Sequence, residues 1–134
     1  MNLVSAYERH DDGWLLYILL SEREPEASIS HKRMPCIRQH MEFFESKPYE
    51  AWYLILQNCE PVGACYLSKQ NEIGVQVFKR HQGKGYGKAA VQELMKRHGK
   101  RRYLANINPQ NERSAKMFKD LGFNLIQHTY EAAA

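Results

Sequence analysis

Gln82-Gly83-Lys84-Gly85-Tyr86-Gly87-Lys88 is the stretch on which the reading of the whole chain depends. Three glycines on alternate positions remove the Cβ atoms that would hold a ligand away from the backbone, so the amide N–H groups become approachable. A helical pattern follows at once: Ala90, Val91, Leu94 and Met95 fall on one face, and Gly99 supplies a stop. The first turn of that helix has unpaired N–H groups and the positive end of its dipole, which together make an anion site. An anion the size of a pyrophosphate fits. Immediately upstream, Glu72 to Phe78 alternates, with Ile73, Val75 and Val77 on one face and Glu72, Gly74 and Gln76 on the other, so a strand feeds the glycine turn.

Working outward, Ala51–Leu56 and Val62–Leu67 are aromatic or aliphatic runs joined by a polar turn at Gln57–Pro61, the pattern of a hairpin whose sheet the Glu72–Phe78 strand extends. Further upstream, Leu3–Ala6 reads as a short strand. Asp12 is placed to cap a buried helix through Trp14, Leu15, Ile18 and Leu19 that ends before Pro25, and Glu26–Arg33 reads as a loop. A second helix has Pro35 near its first turn, carries Cys36, Ile37, His40, Met41 and Phe44 on one face, and ends near Ser46. Downstream, Tyr103–Ile107 reads as a strand, Asn111–Leu121 as a helix ending at Gly122, and Phe123–Tyr130 as a last strand. This order predicts an α/β domain spanning residues 1–134, with a mixed central sheet and flanking helices.

Two familiar phosphate-binding motifs fail on particular residues. A Walker A loop needs glycine where Gln82 stands and a hydroxyl residue where Ala89 stands. The dinucleotide fingerprint is matched by Gly85, Gly87 and Ala90, but it requires a series of βαβ units and an acidic residue where Arg101 and Arg102 occur.

A third reading is carried by two motifs together. Gln82-x-x-Gly85-x-Gly87, between an alternating strand and an amphipathic helix, resembles the acyl-CoA signature of the GNAT superfamily of N-acetyltransferases. The segment Asn111-Glu112-Arg113-Ser114-Ala115 through Phe118 to Leu121-Gly122-Phe123 is similar to that family's later helix motif. The resemblance covers residues 51 to 126 in detail and the earlier helices by element order. It implies a mostly antiparallel sheet with splayed strands and acetyl-CoA as cosubstrate. The backbone of Gln82, Gly83, Lys84, Gly85, Tyr86, Gly87 and Lys88 would hold the pyrophosphate, the Val75–Val77 edge would pair with the pantetheine arm, and Asn111, Ser114 and Phe118 would lie beside it.

Amide formation from a thioester needs a neutral amine, a polarised carbonyl and a proton for the departing thiolate. The family resemblance implies a backbone N–H near Val77 or Phe78 for the second task and Glu72 as the base that draws the amine's proton. His40, on the apolar face of its helix, and His31, in the loop beside the acceptor region, are the substrate-side candidates. At Phe118 the chain departs from relatives that place a proton-donating tyrosine there; Tyr86 and Tyr130 are the other phenols considered.

The acceptor expected is a primary amine of a small molecule, with a nucleotide-linked amino sugar suggested by Ser28, Ser30, His31, Lys32 and Arg33. A protein N-terminus, including a ribosomal one, a non-catalytic acyl-CoA-binding role and a nucleic-acid-binding role are the alternatives. The last rests on Lys79 to Arg102, where Glu93 is the only acid, but no aromatic stacking platform accompanies those cations. The net charge of +4 is modest. The longest apolar run, Trp14–Leu20, is far shorter than the roughly 20 residues of a membrane span, and the N-terminus lacks a secretory pattern, so a cytoplasmic protein is expected. Cys36, Cys59 and Cys65 show no metal-site spacing and read as small core residues; no metal is expected. With one strand after the last helix where relatives commonly have two, a homodimer completing the sheet edge is expected.

Overall fold

The computed structural model describes residues 1–8, 11–23 and 34–133. Strand β1 (Asn2–Ser5) and helices α1 (Asp12–Ser21) and α2 (Ile37–Glu45) precede a meander of β2 (Ala51–Gln57), β3 (Glu60–Leu67) and β4 (Ile73–Val77). A single 3-10 turn at Lys79–His81 then leads to α3 (Tyr86–His98) and α4 (Glu112–Asp120). The four strands lie in the order β1-β2-β3-β4, all antiparallel. The expected mixed sheet is therefore antiparallel among the described strands, with one isolated parallel bridge, Glu72 with Leu104, at its edge.

Register follows from the turn chemistry. Gln57 pairs with Glu60, so the β2–β3 hairpin turns on Asn58 and Cys59, both left-handed at φ 51° and 66°, as a two-residue turn with the twist of its strands requires. A slip between Ile55 and Leu56 leaves Val62 as the extra residue of a bulge.

Side-chain alternation then sorts the core into two layers. Leu3, Ile55, Val62, Cys65, Leu67 and Ile73 pack against Ala90, Val91 and Leu94 of α3 and Phe118 of α4. On the opposite face, Trp52, Leu54, Ala64 and Phe78 meet Leu16 and Leu19 of α1 and Phe44 of α2. Each fully buried aliphatic side chain in these layers contributes about 1.5–3 kcal/mol from removal of apolar surface from water.

Several expectations need correction. Helix α1 is not buried all round: Trp14 and Ile18 are about half exposed, and only one stripe, with Leu16 and Leu19, reaches the core. Its N-cap is Asp11, and Asp12 lies inside the first turn, buried. Of the cysteines only Cys65 is in the core, where burial pushes its thiol up to about 12; Cys36 and Cys59 are exposed. Tyr103–Ile107 does not form a strand beyond the single bridge at Leu104, whose N–H donates to the Asn71 carbonyl and whose carbonyl accepts from Ile73 N–H. Phe123–Tyr130 is not a strand either. Phe123 folds back on Phe118, with ring centroids 5.0 Å apart, while Leu125, Ile126 and Tyr130 stand in solvent. A strand exists only where a ladder partner does, and beyond the Leu104 bridge the described residues offer these segments none.

Candidate functional site

The site is organised by the free edge of β4. Phe78 N–H donates to the Val62 carbonyl and Ile73 N–H donates outward to Leu104, which fixes the parity of the ladder. By alternation the backbone groups of Val75 and Val77 point away from β3, into the edge left open once the Leu104 bridge ends. The same parity excludes Phe78 as a donor to a ligand, because its N–H is consumed inside the sheet. Val77 retains that possibility. Its carbonyl accepts from Gln82 Nε2 at 3.0 Å.

At the end of β4 the glycine turn takes the form its sequence demands. Gly83 and Gly85 are left-handed, at φ +81° and +83°, and the positions their Cβ atoms would occupy face open space. Gly85 is the N-cap of α3. From Gly83 to Lys88 no backbone N–H has a hydrogen-bond partner among the described residues; the first inward bond of the helix is Ala89 N–H to Gly85. This cradle of amides at a helix N-terminus fits a pyrophosphate. Gly87 is helical, and a Cβ there would touch Met117 Sδ, Val77 Cγ2 and Val75 Cγ2 at 3.5–3.8 Å. It brings the first turn of α3 close to β4 and α4.

The side chains of this motif are less available than the backbone. Gln82 is spent on Val77 and on Arg113, whose Nη2 donates to its Oε1 at 2.6 Å, so it ties the turn to α4. Tyr86 packs against the α3-side core. Lys84 and Lys88 are exposed beside the turn.

A cleft of about 930 Å³ opens from the β4 edge toward α1 and α2. Glu72, Val75, Asn111, Ser114, Phe118 and His40 all line it; Val77 and the glycine turn do not. His31 lies outside the described residues. Glu72 is held on both carboxylate oxygens, accepting from Ser68 Oγ at 3.1 Å and from Asn106 Nδ2 at 2.5 Å, which fixes its aim while leaving lone pairs for a substrate. Asn111 is the N-cap of α4, its Oδ1 accepting from Ser114 N–H at 3.1 Å, so only its NH₂ end remains for a ligand. Phe118 is buried, a wall of the cleft with no proton to give. Tyr130 is fully in solvent, away from the cleft lining, and Ser114, one turn before Phe118, is the α4 hydroxyl that faces the cleft.

His40 lines the cleft and also packs between helices. Its Nε2 lies 2.9 Å from the Gly13 carbonyl, an α1–α2 tie, and burial lowers its pKa, with the Gly13 bond opposing. The unfolded chain therefore binds the extra proton in the interval below the ordinary imidazole pKa. Stability is complete above that pKa and falls as pH drops toward the lowered folded value. Melting curves should show a larger loss between pH 7.5 and pH 5 for the wild type than for His40→Gln; equal losses would show that His40 carries none of it.

Sequence reasoning did not single out Ser68, Asn106, Tyr49 or Tyr66. One signal was present: Gly74 interrupts an alternating strand, and the reason is the Tyr66 ring, which occupies the place of its Cβ. Within the basic stretch Arg97 donates to the Leu3 carbonyl and to Glu93 and Lys100 to Glu50, while Lys84, Lys88, Lys96, Arg101 and Arg102 are exposed. Among the described residues there is no group able to hold a metal ion and no helix long and apolar enough to cross a membrane.

Comparison with known proteins agrees with this geometry. A domain from Methanocaldococcus jannaschii DSM 2661 superposes with a TM-score of 0.78 at 22% identity, covering 97% of this chain and 93% of that one. The protein yncA of Salmonella typhimurium, solved with its cofactor acetyl-CoA, gives 0.70 at 20% identity over 92% and 80%. A ribosomal-protein-alanine N-acetyltransferase from Brucella melitensis gives 0.73 at 16% identity over 92% and 85%. No curated protein matches the sequence. These likenesses establish the fold, and the family model of the GNAT acetyltransferases matches residues 14–123. With that match spanning most of its length, the chain belongs to the GNAT acetyltransferase family.

Proposed function

We propose that the protein is an N-acetyltransferase that moves the acetyl group of acetyl-CoA to a primary amine of a small molecule by direct attack on the thioester. The observation that carries the reading is the open β4 edge, with unpaired amides of the glycine turn beyond one end and the anchored Glu72 carboxylate at the other. Acetyl-CoA is the cosubstrate. When bound, it supplies the thioester carbonyl that the amine attacks.

The turn from Gly83 to Lys88 holds the pyrophosphate through backbone N–H groups, and the outward groups of Val75 and Val77 orient the arm that follows. Val77 N–H, on the open β4 edge beyond the cleft lining, is the donor available to a carbonyl oxygen. Glu72 takes the proton of the incoming amine. Phe118 excludes water from one wall, and Ser114 Oγ is the α4 hydroxyl on the cleft that would supply a proton to the departing thiolate. Residues 1–134 act as one domain, which the span of the family match supports. Three unpaired thiols suit a reducing cytoplasm. The reading includes a homodimer, supported by exposed Leu125, Ile126 and Tyr130 on a segment without a ladder partner among the described residues.

Acetyl-CoA at 100 times its dissociation constant should add about 2.7 kcal/mol to folding stability. A thermal shift at millimolar ligand reads this directly, and a folded protein whose melting temperature does not move would refute cofactor binding. Free-thiol release across amines that include a nucleotide-linked amino sugar, a polyamine and an alanine-starting peptide tests the reaction. Release with the peptide alone would favour a protein acceptor.

A further inference from the structure

The acceptor side of the cleft carries charges of both signs around a pair of aromatic rings. Tyr49 and Tyr66 stack with centroids 4.0 Å apart and planes 7° from parallel, and both line the cleft. Tyr66 stands opposite Gly74 in the β3–β4 ladder, two residues along the edge from Glu72. Arg23, at the end of α1, lines the same cleft. Burial raises the pKa of both phenols, and the two hydroxyls hydrogen-bond each other, so the pair stays protonated and keeps one O–H for an anion. Against that rise the Arg23 guanidinium pulls both down, and Glu72 pushes Tyr66 up, so a cation and a carboxylate both act on the Tyr66 hydroxyl.

We propose that the acceptor is an amino acid, its carboxylate received by Arg23 with the Tyr49–Tyr66 hydroxyl pair and its amine presented to Glu72. The inference rests on the acetyltransferase reading above. A guanidinium and a hydroxyl donor on one cleft suit a planar carboxylate, and the Glu72 carboxylate on the same cleft suits an amine. Phe43, Trp52 and Met34 on the same wall provide apolar surface for a side chain. The cleft volume must also take the thioester end of the cosubstrate, which favours a compact acceptor over a nucleotide-linked sugar.

The test uses phenylalanine, leucine and 4-aminobutyrate, each beside its own carboxamide, in free-thiol release with acetyl-CoA. At least one acid should exceed its carboxamide by tenfold or more in kcat/KM, and Arg23→Gln should collapse that ratio toward one. Acids and carboxamides used equally by the wild type, or a ratio that survives Arg23→Gln, would overturn the proposal. Calorimetric titration of the same pairs onto the protein saturated with coenzyme A reads the pocket without turnover. Preferential binding of the acid with no thiol release would keep the carboxylate site and defeat the acetyl-transfer reading; binding without preference would defeat the amino-acid proposal itself.

Discussion

Gly85→Val should lower acetyl-CoA affinity by at least 100-fold while the protein remains folded. Gly85 sits at φ +83°, where a residue with a Cβ costs about 1–2 kcal/mol and a β-branched one more. The chain can relieve that cost only by rotating the N-cap of α3, which turns the amides from Gly83 to Lys88 out of their common direction. Hydrogen bonds to a charged group are worth about 1.5–3 kcal/mol each, so losing two of them accounts for roughly 10² to 10⁴ in affinity. Gly99→Val is the matching control. It places the same strain at φ +58° on the opposite end of the same helix, far from the turn, and should reduce stability with little effect on binding. Isothermal titration calorimetry on both variants checks the pair, and unchanged affinity in folded Gly85→Val would remove the turn from the cofactor site. Gly87 is a different case, since its backbone is helical and its demand is for closeness to Val75, Val77 and Met117.

Glu72→Gln should lower turnover by roughly 10² to 10⁴ with acetyl-CoA affinity essentially unchanged, the range expected for a lost general base. The substitution keeps the size of the side chain and a hydrogen bond to Ser68, so the β4 edge and the Leu104 bridge remain in place. What disappears is the capacity to accept a proton from the amine. Steady-state kinetics with the true acceptor should therefore show the loss in kcat and kcat/KM together, the signature of an interaction made in the transition state. Near wild-type turnover would assign the base elsewhere. His40 is a poor substitute, since its ring nitrogen is engaged with Gly13 inside the α1–α2 interface.

The glycine turn, the helix that follows it, the β2–β3 hairpin and the later helix beginning at Asn111 were legible in the sequence. Each is decided locally: absence of a Cβ permits positive φ, a short polar side chain caps a helix, and a 3.6-residue apolar period selects α3. The site was legible to the same extent. Its backbone cradle belongs to one short stretch, and Glu72 could be placed because it begins the strand that leads there.

Composition alone misjudged whatever depends on a partner distant in sequence. Phe123–Tyr130 was expected as a last strand, yet strand identity belongs to a pair of segments, and no described neighbour is present to complete the ladder. Trp14, Ile18, Cys36 and Cys59 are apolar or small by type but lie outside the two layers that the sheet and helices enclose. The cleft was equally hidden, because Arg23, Tyr49, Tyr66, Glu72, Asn106 and Ser114 come from separate elements and meet only when α1, α2 and α4 close over the edge of β4. The sequence by itself determined that a glycine turn able to take positive φ sits between a strand and a helix, since backbone dihedral freedom is a property of the residue. Only the tertiary structure decided which side chains face the reacting groups, since proximity across the chain is a property of packing.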